Sequence, residues 1–226
     1  MRSARVAAVW HACTVLVIAS AIVIQLVLVV RGVNVLVEDD GGSAAGPERV
    51  LRFFSYFTVQ SNIVSMVTAS LLLRDPDRDG IGWRLARFAA ILGMAVTFAV
   101  YIVVLRPLLD LEGAPWLTDL LFHYVAPVMT VGGWLLFGPS ARADFRVLGL
   151  VIVWPLVYFV YTQLLGAASA WYPYPFLDSG DLGLGRVALN AVGVTVLVLA
   201  LGTTFVAADR RLPRGKLRRA GGSSNV

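Results

Sequence analysis

Val6-Ala-Ala-Val-Trp-His-Ala-Cys-Thr-Val-Leu-Val-Ile-Ala-Ser-Ala-Ile-Val-Ile-Gln-Leu-Val-Leu-Val-Val30 runs for 25 residues without a formal charge. As a helix it exceeds the ~20 residues that cross ~30 Å of hydrocarbon. It is too long for a signal-peptide core of about 7–15 residues, and Arg31 follows it directly, so the sequence predicts a retained helix. Beyond this first stretch (6–30), five more apolar stretches follow at 53–73, 86–105, 117–137, 147–167 and 184–208. The whole chain is 58% apolar and 15% charged, with a mean hydropathy of +0.77. A soluble domain would carry about 25% charge. Connections are too short for a second folded domain. The expected architecture is all-α: a polytopic membrane protein whose residues 1–209 form a bundle of six transmembrane helices, followed by a basic, disordered tail at 210–226.

Charge sets the orientation. With a cytoplasmic N-terminus, 14 of the 19 basic residues fall inside, including Arg74, Arg78, Arg84, Arg142 and the tail from Arg210 to Arg219. Arg31, Arg49, Arg52, Arg106 and Arg186 fall outside, where nine of the 14 acidic residues also lie. An excess of Lys and Arg marks the cytoplasmic side, so both termini are expected to be cytoplasmic. The tail would lie against anionic headgroups or simply anchor the topology.

Several chemistries are excluded by residue type and position. A retinal Schiff base needs an intramembrane lysine, yet the only lysine is Lys216 in the tail. A haem held between two histidines needs both at one depth, but His11 lies near the inner end of the first stretch and His123 near the outer end of the fourth. Pumps and voltage sensors carry charge within the bilayer, whereas Arg52, Arg106, Asp119 and Arg186 read as helix-end residues. Loop 74–84 is rich in Asp but lacks the spacing and distal Glu of a calcium loop. No zinc pattern, phosphate loop or nucleotide fingerprint occurs, so neither metal, cofactor nor nucleic acid is expected. Cys13 stands alone and reads as a buried, inert thiol.

Uncharged polar residues segregate. The second stretch enters from outside through Arg52-Phe-Phe-Ser-Tyr-Phe-Thr-Val-Gln-Ser-Asn62, where Ser55, Thr58, Asn62 and Ser65 follow at helical spacing and would share one face. His123 lies just inside the outer end of the fourth stretch. Tyr161, Thr162 and Gln163 close the fifth, and Asn190 opens the sixth. The connection Ala170-Trp-Tyr-Pro-Tyr-Pro-Phe-Leu-Asp178 is aromatic and proline-stiffened; it reads as an interfacial belt or as a cap on an outward-opening cavity. Ser, Thr, Asn and Gln commonly join membrane helices by hydrogen bonds of about 0.6–2 kcal/mol, which suffices for a packing seam. A histidine in hydrocarbon must be hydrogen-bonded and can exchange a proton near neutral pH. Beside a hydroxyl it forms the smallest activated nucleophile.

Three motifs carry a resemblance: Arg52 to Asn62, then His123-Tyr-Val-Ala-Pro127 with Trp134-Leu-Leu-Phe-Gly-Pro139, then Tyr174-Pro-Phe-Leu-Asp178. With them the chain resembles the bacterial six-helix membrane proteins labelled Pr6Pr, over helices 2 to 6. More remotely it is similar to the animal androgen-induced-gene family, multi-spanning hydrolases of fatty acid esters that use a Thr and a His within the membrane. The resemblance implies a Ser/Thr–His pair. Ungapped, it places Ser55 at the nucleophile, while Thr58 is the only nearby threonine, one turn deeper. Pro127 follows His123 by four residues where the animal proteins have five.

These readings combine into a plasma-membrane protein of the bacterial inner-membrane kind, with a polar pocket facing outward. Ser55 or Thr58 would be the nucleophile and His123 the general base. Asn62, Tyr161, Gln163, Tyr174, Asp178 and Asn190 would bind substrate, with Asn62, Gln163 and Asn190 as candidate oxyanion donors. The partners would be membrane lipids and, as substrate, a lipid-like fatty-acyl ester; no protein partner is identified. The alternatives are a non-catalytic lipid- or ligand-binding protein with the same pocket, and an accessory subunit whose polar seam holds a partner helix.

Overall fold

A computed structural model describes residues 4–33, 46–138 and 141–212. The acidic turn from Glu38, Pro139 of the second motif, and the tail from 213 onward lie outside the described residues. Those described are helical, with no strand among them. The helices are α1 Ala4–Val30, α2 Gly46–Ser55, α3 Phe57–Arg74, α4 Ile81–Leu108, α5 Gly113–Phe137, α6 Phe145–Ser169 and α7 Ser179–Asp209. Five are long and apolar enough to cross a membrane, and α2 with α3 would make a sixth crossing if the bent pair is one span. Leu16, Val157 and Leu164 are each at least 60% exposed on α1 and α6. Such outward apolar faces suit hydrocarbon rather than water, and the molecule is therefore described as a membrane protein.

α4 is the centre of the bundle. Its apolar window is 56% buried, against 17% for α7 and 22% for α1, and it packs on α3, α5, α6 and α7. Gly93 allows a close approach. A Cβ there would meet Ser61 Oγ at 3.0 Å and the Trp154 ring at 3.1 Å, so α3, α4 and α6 converge on a residue with no side chain. Polar contacts pin the remaining helices. Thr118 Oγ1 donates to Gln25 Oε1 at 2.6 Å, joining α5 to α1. Ser65 and Thr130 hydroxyls meet at 2.6 Å, joining α3 to α5. Trp10 Nε1 donates to Met129 O at 2.8 Å.

Two sequence expectations are corrected. Cys13 is exposed on the outer face of α1 rather than buried. Charge is also present inside the bundle. Asp119, Arg87 and Asp209 are 6%, 2% and 1% exposed. The apolar pattern conceals them because each lies within a turn or two of a helix end, where sequence alone reads a solvated position.

Asp209 shows what such a group does. Its carboxylate accepts from Trp134 Nε1 at 2.9 Å, Ala141 N at 2.7 Å and Ala143 N at 2.9 Å. It thus fastens the end of α7 to α5 and to the α5–α6 turn. Asp209→Ala would leave three donors without this acceptor, and the expected destabilisation is about 3–5 kcal/mol, as for breaking a buried pair. Thermal unfolding of the purified protein measures it. A Tm within about 2 °C of the parent contradicts the assignment, since 1 kcal/mol alone moves a chain of this size by about 2–4 °C. On the same side, Asp79 bonds Arg84 at 2.8 Å and also contacts Arg142, tying two turns together. Arg84's hydrogen bond is the main reason that the Asp79 carboxyl is held below the usual carboxylate range.

Candidate active site

The decisive local feature is a break in the polar helix. α2 and α3 meet at 70° because Tyr56 is extended, at φ −71° and ψ 131°. Aromatic packing holds the corner. Tyr56 lies edge-on to Trp171 and Tyr174, and Phe57 packs on Trp154 and Tyr158 at 4.7 and 5.2 Å. A new helix start leaves N–H groups without intrahelical acceptors. Two phenols accept them: Phe57 N donates to Tyr158 Oη at 3.3 Å, and Thr58 N donates to Tyr174 Oη at 3.2 Å. The break also separates residues that a continuous helix would align. Ser55 ends α2, while Thr58, Asn62 and Ser65 follow on α3.

The two candidate nucleophiles consequently have different surroundings. Ser55 Oγ donates to Leu51 O at 2.8 Å and lies 2.7 Å from Tyr161 Oη. Thr58 Oγ1 lies 3.4 Å from His123 Nε2 and 3.3 Å from Tyr174 Oη. Thr58 and His123 are both buried, at 5% and 3% exposure.

His123 stands in a five-residue π-helical segment, Leu121–Val125, and faces a second one, Tyr101–Leu105, on α4. Widened turns of this kind are rare and recur at functional sites. Here they bring the Tyr101 ring flat against the imidazole, centroids 3.9 Å apart and planes at 10°. One turn before His123, Asp119 completes the arrangement. Asp119 Oδ2 accepts from Tyr101 Oη at 2.5 Å. Its Oδ1 lies 2.9 Å from His123 Nδ1, though outside good hydrogen-bond geometry, and its main-chain O lies 3.2 Å from the same nitrogen. The main-chain oxygen as acceptor, with the carboxylate charge nearby, favours the tautomer with a proton on Nδ1. That leaves the Nε2 lone pair facing Thr58, the state a general base requires.

The remaining residues singled out from sequence are mostly structural supports. Asn62 Nδ2 donates to Thr58 O at 2.9 Å and Phe122 O at 3.4 Å, bridging α3 and α5 beneath the pair. Gln163 Nε2 donates to Leu177 O and Asn190 Nδ2 to Phe176 O, at 2.9 and 2.8 Å. These donors already have partners, so Gln163 and Asn190 hold the 170–178 connection from α6 and α7. Asp178 caps α7, accepting from Gly180 N at 2.8 Å and Asp181 N at 3.1 Å. Tyr161 contacts Ser55 rather than the histidine. The connection itself folds inward: Trp171, Tyr174 and Leu177 are buried. α6 ends with Ala170 in the left-handed region at φ 56°, and Tyr172 then packs over Gly166 where no side chain could fit.

Asp119 and Tyr101 were missed from sequence. The i, i+4 spacing of Asp119 and His123 was a usable signal. Nothing local marks Tyr101, because its partners belong to another helix.

From Thr58, Tyr101 and Tyr174 an apolar cavity of about 130 Å³ extends between α4, α6 and α7, past Val96, Pro155 and Val194 to Val198. On α7, Ala191, Val194, Thr195 and Val198 line it, spanning seven residue steps or roughly 10 Å at 1.5 Å per residue. Beyond Thr58, Tyr101 and Tyr174 its lining is apolar except for Thr97, Thr195 and Tyr158. Among the described residues no group of three or more potential metal ligands occurs. No protein-family model, curated protein or solved structure matches this chain.

Proposed function

We propose that this chain is an integral membrane hydrolase of fatty-acyl esters, with Thr58 as nucleophile, His123 as general base and Asp119 as the group that orients the histidine. The observation that carries this reading is the buried Thr58–His123–Asp119 line opening on an apolar cavity. The acyl chain lies in the cavity and its carbonyl carbon meets Thr58 Oγ1. As the Oγ1–C bond forms, the Thr58 proton passes to His123 Nε2. The carbonyl π pair moves to oxygen, and the adduct collapses by expelling the alcohol, which takes the proton from His123. Water then adds to acyl-Thr58 as its proton passes to His123, and the C–Oγ1 bond breaks as that proton goes to Thr58 Oγ1, releasing the fatty acid.

The wider reading is a six-helix protein of the plasma membrane with both termini cytoplasmic and the polar cluster in the outer half. The 14-to-5 division of basic residues supports it. A single cysteine replacing Asp77, in a Cys13→Ser background, is expected to resist membrane-impermeant thiol reagents applied to intact cells. Its labelling from outside would reverse the orientation.

Chain-length dependence tests the substrate class. Each methylene buried in the cavity contributes about 0.8 kcal/mol, so kcat/KM for p-nitrophenyl esters should rise about fourfold per CH2 from acetate until the cavity is filled. A flat series, or a preference for acetate, would refute the acyl assignment. The cavity itself also favours a second reading, a lipid-binding protein without turnover. Under that reading long-chain fatty acids bind but no ester is cleaved.

A further inference from the structure

Tyr174 has a hydroxyl whose position the capping of α3 does not fully explain. Its oxygen accepts from Thr58 N at 3.2 Å, and the same atom lies 3.3 Å from Thr58 Oγ1. The neighbouring phenol, Tyr158, accepts from Phe57 N and donates its own proton to Ser55 O at 3.0 Å. Tyr174 differs in that its hydroxyl lies 3.3 Å from the nucleophile's oxygen, where either oxygen can donate, and its ring helps to line the cavity.

We infer that Tyr174 is the oxyanion donor of the site, giving a hydrogen bond to the carbonyl oxygen of a bound ester as that oxygen becomes negative. The inference rests on the proposed hydrolysis and adds to it a catalytic residue from outside the Thr58–His123–Asp119 line. An oxyanion formed on a carbon bonded to Thr58 Oγ1 stays beside that atom, within reach of a phenol 3.3 Å away. Thr58 occupies the first turn of α3, so the positive end of the helix dipole faces the same spot and reinforces the hydroxyl. The donors suggested by sequence, Asn62, Gln163 and Asn190, do not line the cavity, and each gives an N–H to a main-chain carbonyl.

Preorganisation is what makes such a donor effective, and Tyr174 is held on several sides. Its ring stacks on Phe176 at 5.3 Å and receives the edge of Tyr56. Gln163 and Asn190 fasten the next turn, Pro175–Leu177, to two helices. Burial pushes the phenol's pKa up, so it remains a neutral donor. In the reaction Tyr174 keeps its proton: it donates a hydrogen bond while the proton that moves is Thr58's, first to His123 and then to the leaving alkoxide.

The test compares two phenol deletions in the purified full chain with p-nitrophenyl octanoate. Y174F should lower kcat by about 10²-fold or more, the usual loss for one oxyanion donor, with KM changed less than about threefold. Y158F removes the cap of the adjacent N–H and reports what losing a capping phenol does by itself. Its kcat should fall at least tenfold less than that of Y174F, with similar shifts in Tm for both. Equal losses in the two variants, or wild-type kcat in Y174F, would overturn the inference while leaving Thr58 and His123 in place. Absence of turnover in the wild-type protein would overturn the hydrolase reading and this inference with it. If Y174F does not fold, 3-fluorotyrosine at position 174 keeps the shape and strengthens the donor. A changed kcat at unchanged Tm supports the role, and an unchanged kcat overturns it.

Discussion

Thr58→Ala is expected to abolish ester turnover, with His123→Ala matching it and Ser55→Ala retaining most of the activity. Of the two hydroxyls, Thr58's is the one within hydrogen-bond reach of the imidazole, at 3.4 Å. Ser55 is engaged with Leu51 O and Tyr161 instead. A general base contributes about 10²–10⁴-fold, and groups that act as a unit are non-additive. Losing either partner should therefore cost nearly the same, and the double variant little more. Each single hydrogen bond in a membrane bundle contributes only about 0.6–2 kcal/mol, so the loss of rate should far exceed a shift in Tm of a few degrees. Steady-state rates with an octanoyl ester at matched protein concentration decide the matter. Equal losses for Ser55→Ala and Thr58→Ala, or none for either, would remove Thr58 from the nucleophile's place.

The second large effect is expected at Asp119. Asp119→Asn keeps the size of the side chain but offers Nδ1 of His123 a donor as readily as an acceptor. The tautomer that presents a lone pair to Thr58 is then no longer favoured. In Ser-His-Asp hydrolases the corresponding exchange lowers kcat by about 10⁴. Here the main-chain carbonyl of Asp119 also faces Nδ1, at 3.2 Å, so a smaller loss of about 10²–10³ is expected, within the range that general-base function spans. Because Asp119 acts through the histidine, the loss should fall on kcat and leave KM nearly unchanged, and Asp119→Glu should recover part of it. Tyr101→Phe removes the 2.5 Å bond to the carboxylate but leaves the ring stacked on His123, and it should cost less than Asp119→Asn. A change confined to KM, or loss of folding without a selective loss of kcat, would assign Asp119 a structural role instead.

Much of the architecture is legible in the chain. Uninterrupted apolar stretches predict helices whose observed ends lie a few residues beyond the hydrophobic boundaries, as α4 does at Ile81–Leu108 against an expected 86–105. Polar and aromatic residues at the flanks continue the helix, and hydropathy does not register them. The α2–α3 break is less visible. Phe53-Phe-Ser-Tyr-Phe57 contains neither proline nor glycine, and the corner is held by Trp154, Tyr158, Trp171 and Tyr174, all more than 90 residues away in sequence. A uniform helical phase therefore put Ser55 on the face of Thr58, and the two cannot be separated by spacing alone. The gathering of polar residues toward one end foresaw a polar cluster but not its wiring. Gln163 and Asn190 look like free amides in sequence, yet both hold the loop that positions Tyr174. Asp119 reads as a helix-end charge in sequence because the apolar stretch begins at residue 117. The helix starts at Gly113 instead, which places the carboxylate one and a half turns inside and within reach of His123.

The most direct test of Thr58 as the activated nucleophile is to trap it. Purified protein treated with an alkyl fluorophosphonate, digested and analysed by mass spectrometry should carry one adduct, on Thr58. That adduct should be absent from Thr58→Ala and form far more slowly in His123→Ala and Asp119→Asn. An adduct on Ser55, or labelling of Thr58 at the same rate with and without His123, would contradict the account.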